Sequence, residues 1–182
     1  MKKILLTLAL CACGLAFAEK ADLNKKIEVT AVSVFADDVT QVRTLTGDVQ
    51  LTRGTLIMKA GKATVRTDAE GYMFAVFTAD PAGLATFRQK ADGGDFWIEG
   101  QAERIEYDNK QEVVKLFSKA KLVRLEGSKT TQEFEGAFVS YDSRKENFTG
   151  ENSPTGESKV GGGRVKIVIE PSARNKAAAV KQ

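Results

Sequence analysis

Alternation of apolar and polar residues over 45–68 (LTGDVQLTRGTLIMKAGKATVRTD), interrupted at turns, limits this chain more than any other feature. Leu45, Gly47, Val49 and Leu51 fall on every second position, with Thr46, Asp48, Gln50 and Thr52 between them. Period two marks a strand with one apolar and one wet face. Arg53-Gly54 reads as a hairpin corner, since glycine takes positive φ without steric penalty. Leu56, Met58 and Ala60 continue the pattern, a turn is expected before Lys62, and Ala63 and Val65 resume it. Three short strands joined by tight turns are predicted.

The pattern echoes downstream. ATVRTD at 63–68, ERIEYD at 103–108 and AFVSYD at 137–142 share one arrangement, each ending in an Asp that opens a turn. The unequal spacings, 40 and 34 residues, fit stacked hairpins better than a strict solenoid. Ile27 to Ala36 reads as a first strand and Arg164 to Pro171 as a last one. Residues 69–83 read as a loop or weak hairpin, and 151–163 (ENSPTGESKVGGG) as a flexible linker. No stretch from residue 19 to 171 has helical periodicity. The expectation is one all-β domain over 27–171, with a flexible lead-in at 19–26 and a disordered tail at 172–182.

Met1-Lys2-Lys3, the apolar run Ile4 to Leu15 and Ala16-Phe17-Ala18 form the three parts of a cleavable secretory leader over 1–18. The alternative is a lipoprotein box ending at Cys13, which would anchor the chain to a membrane. Both cysteines, Cys11 and Cys13, lie in this leader, and the sequence has no histidine. The exported part then lacks disulfides, thiol nucleophiles, imidazole ligands and histidine-based triads. No metal and no cofactor is expected. Two of the 27 basic residues, Lys2 and Lys3, belong to the leader, which leaves 25 against 24 acidic residues. That balance, with no long basic run, argues against a nucleic-acid partner.

Catalytic constellations are weak. Asp37-Asp38, Asp92 with Asp95, and Glu103 with Glu106 sit at turns or on wet faces, where solvation explains them better than a glycosidase pair. Gly127-Ser128-Lys129-Thr130 lacks the upstream glycine and strand-to-helix setting of a phosphate loop. Gly161-Gly162-Gly163 precedes a strand and not a helix. No catalytic residue is expected.

The long run of strands sharing one apolar face leaves two readings. The face is a closed, dry sandwich core, or it lines a groove for an apolar ligand. The inward set on this pattern is Ile27, Val29, Leu45, Val49, Leu51, Leu56, Met58, Val65, Phe87, Ile105, Tyr107, Leu116, Leu122, Phe134, Val139 and Tyr141. Aromatic residues fall one or two to a strand, without clustering. If the first and last strands are sheet edges, Ile27, Val29, Val32, Val34, Val165, Ile167 and Ile169 form long apolar edges that invite pairing with another chain.

The order of Leu45-Thr46-Gly47-Asp48-Val49, Arg53-Gly54-Thr55-Leu56, Ala60 to Val65, Ala85-Thr86-Phe87, Glu99-Gly100-Gln101-Ala102, Tyr107, Phe134-Glu135-Gly136, Tyr141 and Gly163-Arg164-Val165 resembles the OstA-like family of periplasmic lipopolysaccharide transport proteins, the LptA family. The resemblance spans residues 27–171. It departs in the loop 70–83 and in the glycine-rich stretch before the last strand. It implies an open, twisted antiparallel β-jellyroll whose apolar interior groove holds the acyl chains of lipopolysaccharide (lipid A), with the inward set as lipid-binding residues. It also implies a periplasmic, non-enzymatic bridge by head-to-tail self-association. An LptC-like inner-membrane protein would stand at one end and an LptD-like outer-membrane protein at the other. The alternative is a structural or adaptor β-domain that binds protein partners through its edges and carries no lipid.

Overall fold

The computed structural model describes Asp22 and residues 25–171. The leader, most of the lead-in and the tail from 172 lie outside the described residues. The described chain is all-β, one continuous antiparallel sheet folded into a jellyroll. Its strands are β1 (Glu28–Thr30), β2 (Ser33–Asp37), β3 (Val42–Arg53), β4 (Leu56–Thr67), β5 (Met73–Thr78), β6 (Ala85–Ala91), β7 (Phe96–Ala102), β8 (Arg104–Asp108), β9 (Val113–Glu126), β10 (Lys129–Asp142), β11 (Asn147–Glu151) and β12 (Lys166–Ile169).

Four long strands, β3, β4, β9 and β10, form the frame, and each exchanges neighbours halfway along. β3 pairs β2 over residues 42–46 and β1 over 50–52. β4 pairs β6 over 57–59 and β5 over 62–67. β9 pairs β8 over 113–117 and β7 over 121–126. β10 pairs β11 over 138–142 and β12 over 132–135. The exchange divides the sheet into two leaves. Leaf A runs β2-β3-β4-β5-β8-β9-β10-β11, and leaf B runs β1-β3-β4-β6-β7-β9-β10-β12.

Bulges mark the fold line. In β3 the register shifts between Thr46 and Val49, where Gly47 has φ 79° and Asp48 φ 44°. In β9, Ser118 and Lys119 have φ 61° and 53°, facing the register shift between Gly136 and Phe138 of β10. An extra residue bends the strand that carries it and raises its twist, which lets a continuous ladder turn over on itself. The far ends of both leaves line one shared cavity, and residues of both form a single apolar core.

Several expectations change at this level. The stretch 45–68 forms parts of two long strands and not three short ones. Buried positions in β4 switch from Leu56 and Met58 to Ala63 and Val65 with no turn, because β4 passes from leaf B to leaf A at Gly61. The supposed loop 69–83 contains β5, a central strand between β4 and β8, whose Met73, Ala75 and Phe77 are buried on alternate positions. The first strand is two, β1 and β2, broken at Ala31-Val32. The stretch 151–163 is an ordered loop. The Asn152 amide donates to the Lys159 and Gly163 carbonyls (2.8 and 3.0 Å), its oxygen accepts from the Lys159 amide (2.8 Å), and the loop packs Gly156 against Phe138.

One turn design recurs at the free end of leaf A. Asp37, Asp108 and Asp142 each begin a turn that closes four residues later on Gln41, Glu112 or Glu146, all in the left-handed region (φ 55°, 57° and 51°). The Asp carboxylate accepts amide hydrogens from within its own turn: Val39 and Thr40, Lys110 and Gln111, or Lys145. Asp68 does the same for Glu70 and Tyr72. The echo in the sequence is therefore a turn-capping device.

Two predictions follow from this geometry. A Cβ on Gly47 meets Val32 Cβ at 2.9 Å in a left-handed backbone, so Gly47→Ala should lower unfolding free energy by about 1–2 kcal/mol or more in urea titration. The Thr40 hydroxyl and the Thr40 and Val39 amides hold the Asp37 carboxyl below its ordinary 3.8. Burial pushes Asp142 up, but the Lys145 hydrogen bonds and charge outweigh it, and its net shift is also downward. A lowered carboxyl contributes stability that is full above its unfolded value and is lost as pH falls through the folded one. Asp37→Asn combined with Asp142→Asn should therefore flatten the loss of urea stability below about pH 4.

Candidate functional site

The inward set converges between the leaves. Leu45, Val49, Leu51, Leu56, Met58, Val65, Phe87, Ile105, Tyr107, Leu116, Leu122, Val139 and Tyr141 are all buried in the one core. Phe134 and Val29 are partly buried against that core, and Ile27 stands 39 % exposed before β1. Met73, Ala75, Phe77, Ala85, Ile98, Ala102 and Val114 belong to the same core and were missing from the sequence-based set. The unbroken apolar run Met73-Phe74-Ala75-Val76-Phe77 was the available signal, masked by the turn-rich residues around it.

These side chains fill the interior themselves. A side chain at Gly100 would meet Leu116 Cδ2 at 2.7 Å and Phe87 Cδ1 at 3.1 Å. The aromatic residues do cluster, against expectation. Phe148 stacks between Phe134 (centroids 5.0 Å) and Tyr141 (4.9 Å), because β10 carries Phe134 on leaf B and Tyr141 on leaf A while β11 brings Phe148 alongside. This stack joins the leaves at the β11/β12 side.

Among the described residues the two sides of the jellyroll are edges: β1 and β2 pair only with β3, and β11 and β12 only with β10. Val34 lies opposite Leu45, on the inward face, yet is 56 % exposed. Ile167 and Ile169, opposite Phe134 and Gln132, are 54 % and 68 % exposed. Val29 pairs with Leu51, Val32 lies over Gly47, and Val165 packs on Gly150.

Polar groups gather where the free ends of the leaves meet. Arg53 and Gln89 of leaf B and Tyr107, Glu112 and Ser143 of leaf A line a cavity of about 10 Å³ together with Asp22. Arg53, Gln89 and Asp22 are buried. Asp22, expected in a flexible lead-in, accepts hydrogen bonds from the Thr55 amide (2.9 Å) and hydroxyl (2.5 Å). That hydroxyl in turn accepts the Lys90 amide at 3.1 Å. Nothing in the sequence around Asp22 signals this contact, which arises only once the β3–β4 corner is folded.

The outward face of leaf B is concave, with a hollow of about 510 Å³ over Ile57 and Val123 rimmed by Lys59, Arg88, Glu99 and Lys121. Three of these four charges are in ion pairs. Arg88 meets Glu99, and Lys121 meets Glu133 (2.9 Å) and Glu135 (3.2 Å). Glu133 raises the Lys121 ammonium, while Lys121 and then Lys166 lower Glu135. The acidic residues weighed for a hydrolase are dispersed. Asp92 and Asp95 are in the β6–β7 turn, Glu103 pairs with Lys119 between β7 and β8, and Glu106 pairs with Arg104.

Comparison with known proteins agrees with this architecture. The chain is 28 % identical over 172 residues to the lipopolysaccharide export system protein LptA of Haemophilus influenzae, covering 94 % of this chain and 92 % of that one. Its fold matches that of LptH, the LptA-homologous periplasmic component of the lipopolysaccharide transport device of Pseudomonas aeruginosa. The TM-score is 0.71 at 25 % identity, over 82 % of this chain and 99 % of LptH. Residues 28–147 match the model of the LptA/(LptD N-terminal domain) LPS transport protein family. The chain belongs to the LptA/(LptD N-terminal domain) family of lipopolysaccharide transport proteins.

Proposed function

We propose that this chain shelters the acyl chains of lipopolysaccharide between its leaves and passes them along copies joined edge to edge. It does so in the periplasm, between an LptC-like inner-membrane partner and an LptD-like outer-membrane partner. The observation that carries this reading is one apolar interior flanked by two edges that have no partner strand among the described residues, with Val34 at one and Ile167 and Ile169 at the other exposed on its inward face. A secretory leader at 1–18 fits the location.

The energetics suit a carrier. Each sheltered methylene is worth about 0.8 kcal/mol, so an acyl chain of ordinary length gains on the order of 8–10 kcal/mol. The interior side chains give little directional bonding, so successive positions along it differ little in free energy. The driving energy must come from elsewhere. A second reading, an adaptor that binds partners through its edges without lipid, is favoured by the filled interior.

The two readings separate at Phe87. A photo-reactive residue there should capture lipopolysaccharide in cells that make it, whereas one at Lys59, outward on β4, should not. Equal capture at both positions, or none at Phe87, sinks the lipid reading. Edge pairing has its own test. Val34→Asp and Ile169→Asp should each shift sedimentation toward monomer by placing charge on an edge. Because both sites are exposed, the monomer's urea stability should change by less than about 0.5 kcal/mol.

A further inference from the structure

β5 is apolar on both of its faces, and the fold covers one. Met73, Ala75 and Phe77 are buried inward, while Phe74 and Val76 stand on the outward face of leaf A. An unbroken apolar run belongs to a strand covered on both sides. The register shows how far the outward patch extends. Phe35, Thr44, Thr64 and Val76 lie in one row across leaf A, and Val42, Arg66 and Phe74 in the next. Past β5 the first row turns polar, through Glu106, Lys115, Ser140 and Thr149. Val42, Thr64, Arg66, Phe74 and Val76 line a hollow of about 460 Å³. Phe35, on the neighbouring edge strand β2, is 69 % exposed, and Phe74 is 40 % exposed. A grouped apolar patch on an outward face marks a contact site. The hollow is on the other face of the sheet from the interior and its mouth, the seam where the free ends of the leaves meet. A ligand held between the leaves would leave it bare.

Arg66 sets the chemistry of the occupant. It stands between Val42 and Phe74 in the register, is exposed, and forms no ion pair or hydrogen bond through its side chain among the described residues. The carboxylates on neighbouring strands are engaged elsewhere. Asp37 and Asp108 accept amides of their own turns, Asp68 caps the β4–β5 turn, and Glu106 pairs with Arg104. Covering the apolar floor would take the guanidinium out of water, and an uncompensated charge strongly opposes that. A cover therefore has to bring a carboxylate, which a guanidinium meets with two parallel hydrogen bonds. Aromatic side chains around an arginine are also the composition of the centre of a protein interface.

Two other covers fit less well. A copy added at the β2 edge extends the sheet in its own plane, so it lies beside the hollow and not over it. A bilayer is flat whereas the hollow is recessed, and Asp38 and Glu70 in the β2–β3 and β4–β5 turns would meet anionic headgroups. We infer that the outward face of leaf A over β2–β5 docks a different protein, through an amphipathic segment that lays apolar side chains in the hollow and a carboxylate on Arg66. This contact is separate from the edges and needs no lipid, so it stands or falls apart from the proposed function.

A photo-crosslink tests it. In the full chain, p-benzoylphenylalanine at position 74, illuminated in cells that export the protein, should join one polypeptide other than this chain. Sequencing the joined peptide should show Asp or Glu beside apolar residues. Arg66→Glu should cut that adduct by about tenfold, and changing the partner's carboxylate to lysine should restore it. Arg66→Gln should lower it in the same direction by less. Both variants should keep the parental urea midpoint, because Arg66 is exposed. Val34→Asp, which blocks the edge, should leave the adduct unchanged. The same photo-reactive residue at Lys115, outward on β9 beyond the hollow, should not form it. No adduct at position 74, an adduct only with lipid or a second copy, an equal one at Lys115, one lost with Val34→Asp, or a yield that ignores Arg66→Glu or the reversed carboxylate overturns the docking site.

Discussion

Everything in this molecule depends on four strands being able to change neighbours without breaking. A twelve-strand antiparallel sheet that stayed in one plane would expose its apolar face along its whole length. Bending β3, β4, β9 and β10 at one level turns that face onto itself and creates an interior from a single surface. The bend requires left-handed backbone at Gly47-Asp48 and Ser118-Lys119, and at three of these four positions the residue is not glycine. The strain is tolerated because strong ladders on both sides of each bulge fix the backbone there.

The same construction sorts the interactions by place. The interior is held by contacts without direction: aliphatic and aromatic side chains, most of them below 6 % exposure. Hydrogen bonds with defined geometry are kept to the rims, where aspartates cap the turns of leaf A and Asp22 meets Thr55. Charge pairs occupy the outward face of leaf B, where solvent screening limits what they contribute. Sliding and repacking are therefore cheapest inside, and positional precision is greatest outside.

Alternation of single residues made the all-β fold and most of the inward set legible, because a half-buried strand leaves the same signature wherever it lies. The parity switch in β4 was legible too, but a turn and an exchange of neighbours look alike in sequence, and only the pairing of β4 with β5 and β6 separates them. β5 was lost because its apolar run Met73 to Phe77 shows no period of two and sits between Glu70-Gly71 and Asp80-Pro81, so turn chemistry overrode a short strand. The mouth was invisible for a different reason. Asp22, Arg53, Gln89, Tyr107 and Glu112 come from five separate segments, and no local pattern announces a meeting of that kind. The stack of Phe134, Tyr141 and Phe148 was hidden likewise, since it bridges the two leaves.

That stack lies at one side of the jellyroll alone. The β11/β12 side presents large isoleucines beside three stacked rings, whereas the β1/β2 side presents valines over a glycine bulge. The molecule is thus an arrow rather than a bar: its two sides differ in shape. A two-fold pairing would match like surface with like, whereas a row of copies joined nose to tail, as proposed, would inherit a sense of direction that no single side chain encodes.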